Sequence, residues 1–119
     1  MKLTKVQELL NAKIHYGAEL VEEIEIADAF GSDLMSDVLA FVKDQSLLLT
    51  GLVNGQVVRT AEMMDIKAIV FVRGKKPDEL VVSLAEENGI ILMCTDYRMY
   101  TACGLLYNSG LSTEGGDKV

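Results

Sequence analysis

Residues suited to holding an anion fall in three short stretches of this sequence. Thr50, Gly51, Asn54, Gly55 and Gln56 lie in "TGLVNGQ", Arg73 and Gly74 in "RGKKP", and Thr95 and Tyr97 in "CTDYRMY". Glycines bare their backbone N–H groups, hydroxyls and amides add donors, and a guanidinium pairs with carboxylate or phosphate through two parallel bonds. "TGLVNGQ" lacks the lysine and the hydroxyl residue that follow the last glycine of a P-loop, so it does not read as a site of nucleoside triphosphate hydrolysis. Glycine and asparagine also serve a tight strand-to-helix turn, and both readings stay open for this loop.

Other reactive types form no catalytic set. Asp96 stands where an aspartate caps a following helix, and Lys75 and Lys76 read as solvated turn residues. His15 has no serine, cysteine or carboxylate at a catalytic spacing and reads as structural. Cys94 and Cys103 form no Cys-x-x-Cys pair, which excludes a sequence-encoded zinc site or disulfide framework and fits buried thiols in a reducing compartment. No cofactor, metal or catalytic residue is expected.

The totals narrow the class further. The 119 residues suit one core. Eleven basic against 18 acidic residues leave a net charge of −7, which repels nucleic acid at long range. No apolar run approaches the ~20 residues of a membrane span, and the start "MKLTKVQELLNAKI" is charged and amphipathic, so the expected location is the cytoplasm.

The elements that must position these residues follow from periodicity. Val6, Leu9 and Leu10 share a face of a first helix, and "AKIHYG" carries a brief strand closed by Gly17. Ile24 and Ile26 alternate with Glu23 and Glu25, as in an edge strand with one wet face. Ser32 is placed to cap a helix whose stripe is Leu34, Met35, Val38, Leu39 and Val42, with Asp33 near its positive end. "SLLLT", "KAIVFV" and "IILMC" are continuous apolar runs, expected of strands covered on both faces.

Between those runs, one helix turns Val57, Val58, Ala61 and Met64 inward. Another, opened by Pro77 and ended by Asn88 and Gly89, turns in Leu80, Val81 and Leu84. A last helix is expected from about Tyr97 to Tyr107. The methionines, including Met63, Met64, Met93 and Met99, read as core packing. The alternation predicts an α/β fold, a mostly parallel central sheet flanked by helices, over residues 1–108, with a disordered tail over 109–119. Ligands of such sheets lie beyond the carboxyl ends of the strands, and that edge carries the anion-suited residues.

The stretch from Ser46 to about Leu106 resembles the DRTGG domain, a small α/β module, and is similar to the amino-terminal domain of HPr kinase/phosphorylase. The likeness lies in the order "LLLTG", "AEMMD", "IKAIVFV", "RGKKP", "SLAEENG", "IILMCT" and "YRMYTA". Thr50, Gly74, Tyr100 and Thr101 match family positions. The family's Asp-Arg falls on Val53 and Asn54, its Thr-Gly-Gly on Val72, Arg73 and Gly74, and its later Asp-Thr on Arg98 and Met99. The resemblance implies a parallel sheet and self-association. In relatives the module accompanies cystathionine-β-synthase domains, a pyrophosphatase or phosphotransacetylase, where it is regulatory, and in HPr kinase the catalytic P-loop belongs to a separate domain.

Two function classes follow. One is a non-catalytic regulatory module, a homodimer that binds a small anionic metabolite or nucleotide at the carboxyl edge and signals to a larger enzyme. The other is a structural interaction or dimerisation domain, for which an excess of exposed Leu, Val and Met would argue.

Overall fold

The computed structural model describes residues 1–111. Five strands, β1 (Lys13–Tyr16), β2 (Asp28–Gly31), β3 (Ser46–Thr50), β4 (Ala68–Phe71) and β5 (Ile91–Cys94), form one sheet in the order β1-β5-β4-β3-β2. β2 to β5 run parallel, and β1 lies antiparallel on β5 with an irregularity between Ile14 and Tyr16. Five helices cover the two faces: α1 (Leu3–Leu10), α2 (Met35–Phe41), α3 (Gly55–Met63), α4 (Glu79–Asn88) and α5 (Met99–Asn108). The fold is thus the expected α/β class.

Alternation along the three central strands explains the layers. Leu47, Leu49, Ala68, Val70, Ile91 and Met93 pack with Leu3, Val6 and Leu10 of α1 and Ala102 and Leu106 of α5. Their neighbours Leu48, Ile69, Phe71, Leu92 and Cys94 face the other way, onto Met35 and Val38 of α2, Val57, Val58 and Ala61 of α3, and Val81 and Ala85 of α4. Strands buried on both faces read as unbroken apolar runs for this reason. No helix among the described residues is long and apolar enough to cross a membrane.

Several local expectations give way to tertiary contacts. The strand expected around Ile24 and Ile26 is instead a 3₁₀ turn at Val21–Glu23 and an extended segment bridged to the amino terminus, with the sheet strand forming later at Asp28–Gly31. Leu3 N–H donates to the Ile24 carbonyl (3.0 Å) and Ile26 N–H to that of Met1 (2.8 Å), so this segment's backbone is satisfied in the α1 layer. On α2, Met35 and Val38 are buried, but Leu34 is 57% and Leu39 43% exposed. A seven-residue helix turns too little surface to the sheet to bury that whole stripe. Ser32 does not stand at its cap position, which is Leu34; its Oγ accepts the Leu34 N–H (3.0 Å).

Pro77 likewise precedes α4, whose cap is Asp78, with Oδ1 accepting Val81 N–H (2.9 Å), and Leu80 faces out. Asp96 caps nothing, because α5 starts at Met99 with Arg98 at its cap position. Tyr100 is 90% exposed. Leu111, just past α5, is buried, its N–H on the Leu106 carbonyl (3.1 Å). Residues 112–119 of the expected tail lie outside the described residues.

Candidate functional site at the carboxyl edge

The parallel strands bring the ends of β2, β3, β4 and β5 to one edge. β4 continues into α4 on one face and β5 into α5 on the other, so the connections part between them. Such a divergence opens a crevice in sheets of this kind. Here the chain's own backbone bridges it: Arg73 N–H donates to the Tyr97 carbonyl (2.8 Å) and Gly74 N–H to that of Thr95 (2.9 Å).

One set of donors at this edge converges on a single group, the carboxylate of Asp33 in the turn between β2 and α2. Asp33 Oδ1 accepts Gly51 N–H (2.6 Å) and the Thr50 hydroxyl (3.2 Å). The Arg73 guanidinium faces the other oxygen, with Nη2 3.7 Å from Oδ2. Lys75 closes the set, its Nζ donating to the Gly51 carbonyl (2.9 Å). Thr50 is buried, while the Asp33 and Arg73 side chains are 52% and 42% exposed, so the group opens to solvent on one side.

Glycine at 51 leaves the room that the guanidinium occupies. A Cβ there would collide with Arg73 Nη2 and lie 2.8 Å from Cζ, so the guanidinium rests where a side chain would stand. Arg73 itself has φ +61 and Gly74 φ +68. The left-handed region costs a non-glycine residue about 1–2 kcal/mol. Arginine at position 73 therefore stands in a backbone conformation that favours glycine.

The other expected site residues are otherwise engaged. Asn54 caps α3, its Oδ1 accepting Gln56 N–H (3.0 Å) and Val57 N–H (3.3 Å). Gly55 packs under Leu84 and Arg59. The Thr95 hydroxyl turns into the core and donates to the Leu10 carbonyl (2.7 Å), tying α1 to the end of β5. Tyr97 N–H donates to Thr95 Oγ1 (3.3 Å), and its ring is partly exposed. Gly74 faces Asp96, whose Oδ1 would lie 3.2 Å from an added Cβ. The structure therefore gathers Thr50, Gly51 and Arg73, adds Asp33 and Lys75, and sets Asn54, Gly55 and Thr95 to holding loops and layers together.

Asp33 follows the end of a short edge strand, and its role is visible only once β2 is known to lie beside β3. Lys75 looks like any turn lysine until the loop folds back over Gly51.

Burial pushes the Cys94 thiol up to about 11, against a smaller opposing effect of Lys76 and Lys13. Cys103 is raised by burial too. Thiols so shifted are protonated at neutral pH and are poor nucleophiles. Burial, with Lys13 and Lys76 nearby, pulls His15 below its ordinary value of 6.5. Among the described residues, no group of three or more His, Cys, Asp or Glu could hold a metal ion.

No protein-family model and no curated protein matches the chain. A solved structure does: the crystal structure of the CBS and DRTGG domains of the regulatory region of Clostridium perfringens pyrophosphatase, complexed with its activator, diadenosine tetraphosphate. The TM-score is 0.68 at 12% identity, over 96% of this chain and 51% of that one. The likeness is one of fold. The chain spans about half the length of that regulatory region.

Proposed function

We propose that this protein is a non-catalytic regulatory module that binds a small anionic ligand, a metabolite or nucleotide, at the carboxyl edge of its sheet and self-associates as a dimer. The observation that carries the reading is the convergence of Thr50 O–H, Gly51 N–H and the Arg73 guanidinium on one carboxylate. Donors arranged for one oxyanion suit another of the same size and charge. The neighbour of like fold, crystallised with a nucleotide activator, supports the same class. The ligand would favour one arrangement of the edge loops or subunits, which a larger enzyme reads. The raised thiols and the lack, among the described residues, of a paired base and nucleophile favour binding over catalysis, and the free cysteines fit a cytoplasmic protein.

The test is a thermal-shift panel of nucleotides, dinucleotides, phosphorylated metabolites and inorganic anions against wild type, Arg73→Ala and Arg73→Gly. Arg73→Gly suits the left-handed backbone, so it removes the guanidinium without adding strain. A ligand at a hundred times its Kd adds about 2.7 kcal/mol, several degrees in a domain of this size. A shift in wild type that both variants lose bears the reading out, and a shift they retain moves the ligand elsewhere.

A second reading has its own observation. Leu34, Leu39 and Phe41 on or beside α2, Met63, Leu80, and Tyr100 and Tyr107 on α5 are exposed. The α5 tyrosines flank an open groove of about 1100 Å³ between α5 and β2, also lined by Leu105 and Leu111. This excess of surface apolar groups is what an interaction or dimerisation domain would display. Equilibrium sedimentation of wild type against Tyr100→Ser/Tyr107→Ser and Leu34→Ser/Leu39→Ser distinguishes the faces, and a monomer at all concentrations removes self-association.

A further inference from the structure

We infer that Asp33 is a built-in competitor for the ligand of the carboxyl edge: the anion that binds there displaces the Asp33 carboxylate and so releases the turn that leads into α2. The inference rests on the anion-site reading above and specifies how that site is regulated.

Donor count makes the two anions mutually exclusive at Thr50 and Gly51. Gly51 has one N–H and Thr50 one O–H, and Asp33 Oδ1 takes both. Lys75 holds the Gly51 carbonyl through one of its three N–H groups. An incoming oxyanion beside an unmoved Asp33 would meet a like charge and no free hydrogen on Thr50 or Gly51. With the carboxylate gone, the same N–H, O–H and guanidinium fit a carboxylate or a terminal phosphoryl group, since each offers one oxygen to the loop and another to Arg73. Asp33 is half exposed, so it has a path into water and the ligand a path in.

The consequence lies in the chain around it. Asp33 is followed by Leu34, the cap position of α2, which has no side-chain cap. The turn is held by the Asp33 contacts, by Leu34 N–H on Ser32 Oγ and by Ser32 N–H on the Leu49 carbonyl (3.0 Å). Losing the first of these loosens the start of a seven-residue helix whose outer surface carries Leu34 and Leu39. Occupancy of the site is thereby converted into the position of an exposed apolar turn. A clasp closed ~90–99% of the time lowers apparent affinity about 10- to 100-fold, because the ligand binds only the open fraction.

The experiment is calorimetric titration of wild type, Arg73→Gly, Asp33→Asn, Asp33→Ala and Asp33→Ala/Arg73→Gly with inorganic phosphate, pyrophosphate and ATP. It is paired with hydrogen exchange of wild type at the highest probe concentration. Asp33→Ala is expected to bind at least one probe ten or more times more tightly than wild type. Asp33→Asn falls between, and Arg73→Gly removes the gain. In wild type the probe speeds exchange over residues 32–38 and slows it over 50–52. Arg73-dependent binding to wild type that Asp33→Ala leaves equal or weakens overturns the competitor role while the site stands. No binding by any variant overturns both. Should Asp33→Ala not fold, the wild-type exchange decides, and slowing at 50–52 without faster exchange at 32–38 counts against the displacement.

Discussion

Gly51→Ala separates the stability of this fold from the chemistry of its carboxyl edge. A methyl group at 51 points into the space now held by the Arg73 guanidinium, with Cζ only 2.8 Å away. The obstructing atoms are the far end of a flexible, 42% exposed side chain, which can swing into solvent without moving the backbone. Gly51 does not have the positive φ found at Gly17, Gly74, Gly89 and Gly110. Replacing such a glycine by alanine stabilises by about 0.4–1 kcal/mol through the unfolded chain. Loss of the exposed Arg73–Asp33 pair costs about 0–1 kcal/mol. The net change in stability is therefore within about 1 kcal/mol. Affinity behaves otherwise, since a hydrogen bond to a charged group is worth about 1.5–3 kcal/mol, roughly one to two decades in Kd. Urea unfolding and calorimetric titration with a ligand found by thermal shift measure the two quantities. Destabilisation beyond about 2.5 kcal/mol would show that Gly51 is needed by the backbone, and unchanged affinity would show that Arg73 carries no ligand charge.

Gly17→Ala should fail in the opposite way. At φ +96, with an added Cβ 2.7 Å from Ile91 Cγ1 in the core, backbone strain and overpacking together cost about 2–5 kcal/mol, and a loss under 0.5 kcal/mol in urea unfolding would refute the packing described. Thr95→Val orphans the Leu10 carbonyl and should cost about 1–3 kcal/mol while leaving anion affinity unchanged; lost affinity at unchanged stability would return Thr95 to the site. Stability should fall at both ends of the pH range. His15, lowered in the fold, favours folding above 6.5, a contribution lost as pH falls through its folded value. Cys94, raised from 9.0 to about 11, favours folding below 9 and loses that contribution as pH rises toward 11. A Tm series in which Cys94→Ala leaves the alkaline decline unaltered would refute the second assignment.

The anion-suited residues were legible in the sequence as types, but their convergence on one group was legible only in part. Thr50 ends one apolar run and Arg73 follows another, so strand patterning alone sends them to one edge. Asn54, Gly55 and Thr95 stand at the same edge by the same logic, yet cap a helix, pack beneath a leucine and bond a carbonyl 85 residues away. Side-chain direction separates the two groups, and no periodicity encodes it. Asp33 and Lys75 show the converse, since each gains its role from a loop distant in sequence, by 18 and 24 residues from Gly51.

The α/β class, the buried runs of β3, β4 and β5, and the placement of the anion-suited residues beyond them follow from local pattern, because burial on two faces demands unbroken apolar residues and parallel strands demand intervening helices. Which apolar residues stay outside does not follow from pattern. Leu34, Leu39 and Leu80 fit their stripes as well as Val38 and Val81, and the fold exposes them because α2 and α4 meet the sheet along a narrower line than the stripes allow for. The convergence on Asp33 is decided later still, when parallel pairing of β2 on β3 carries a carboxylate across to Gly51 and Arg73. Strand adjacency depends on how whole faces pack, and nothing in the residues near Asp33 specifies it.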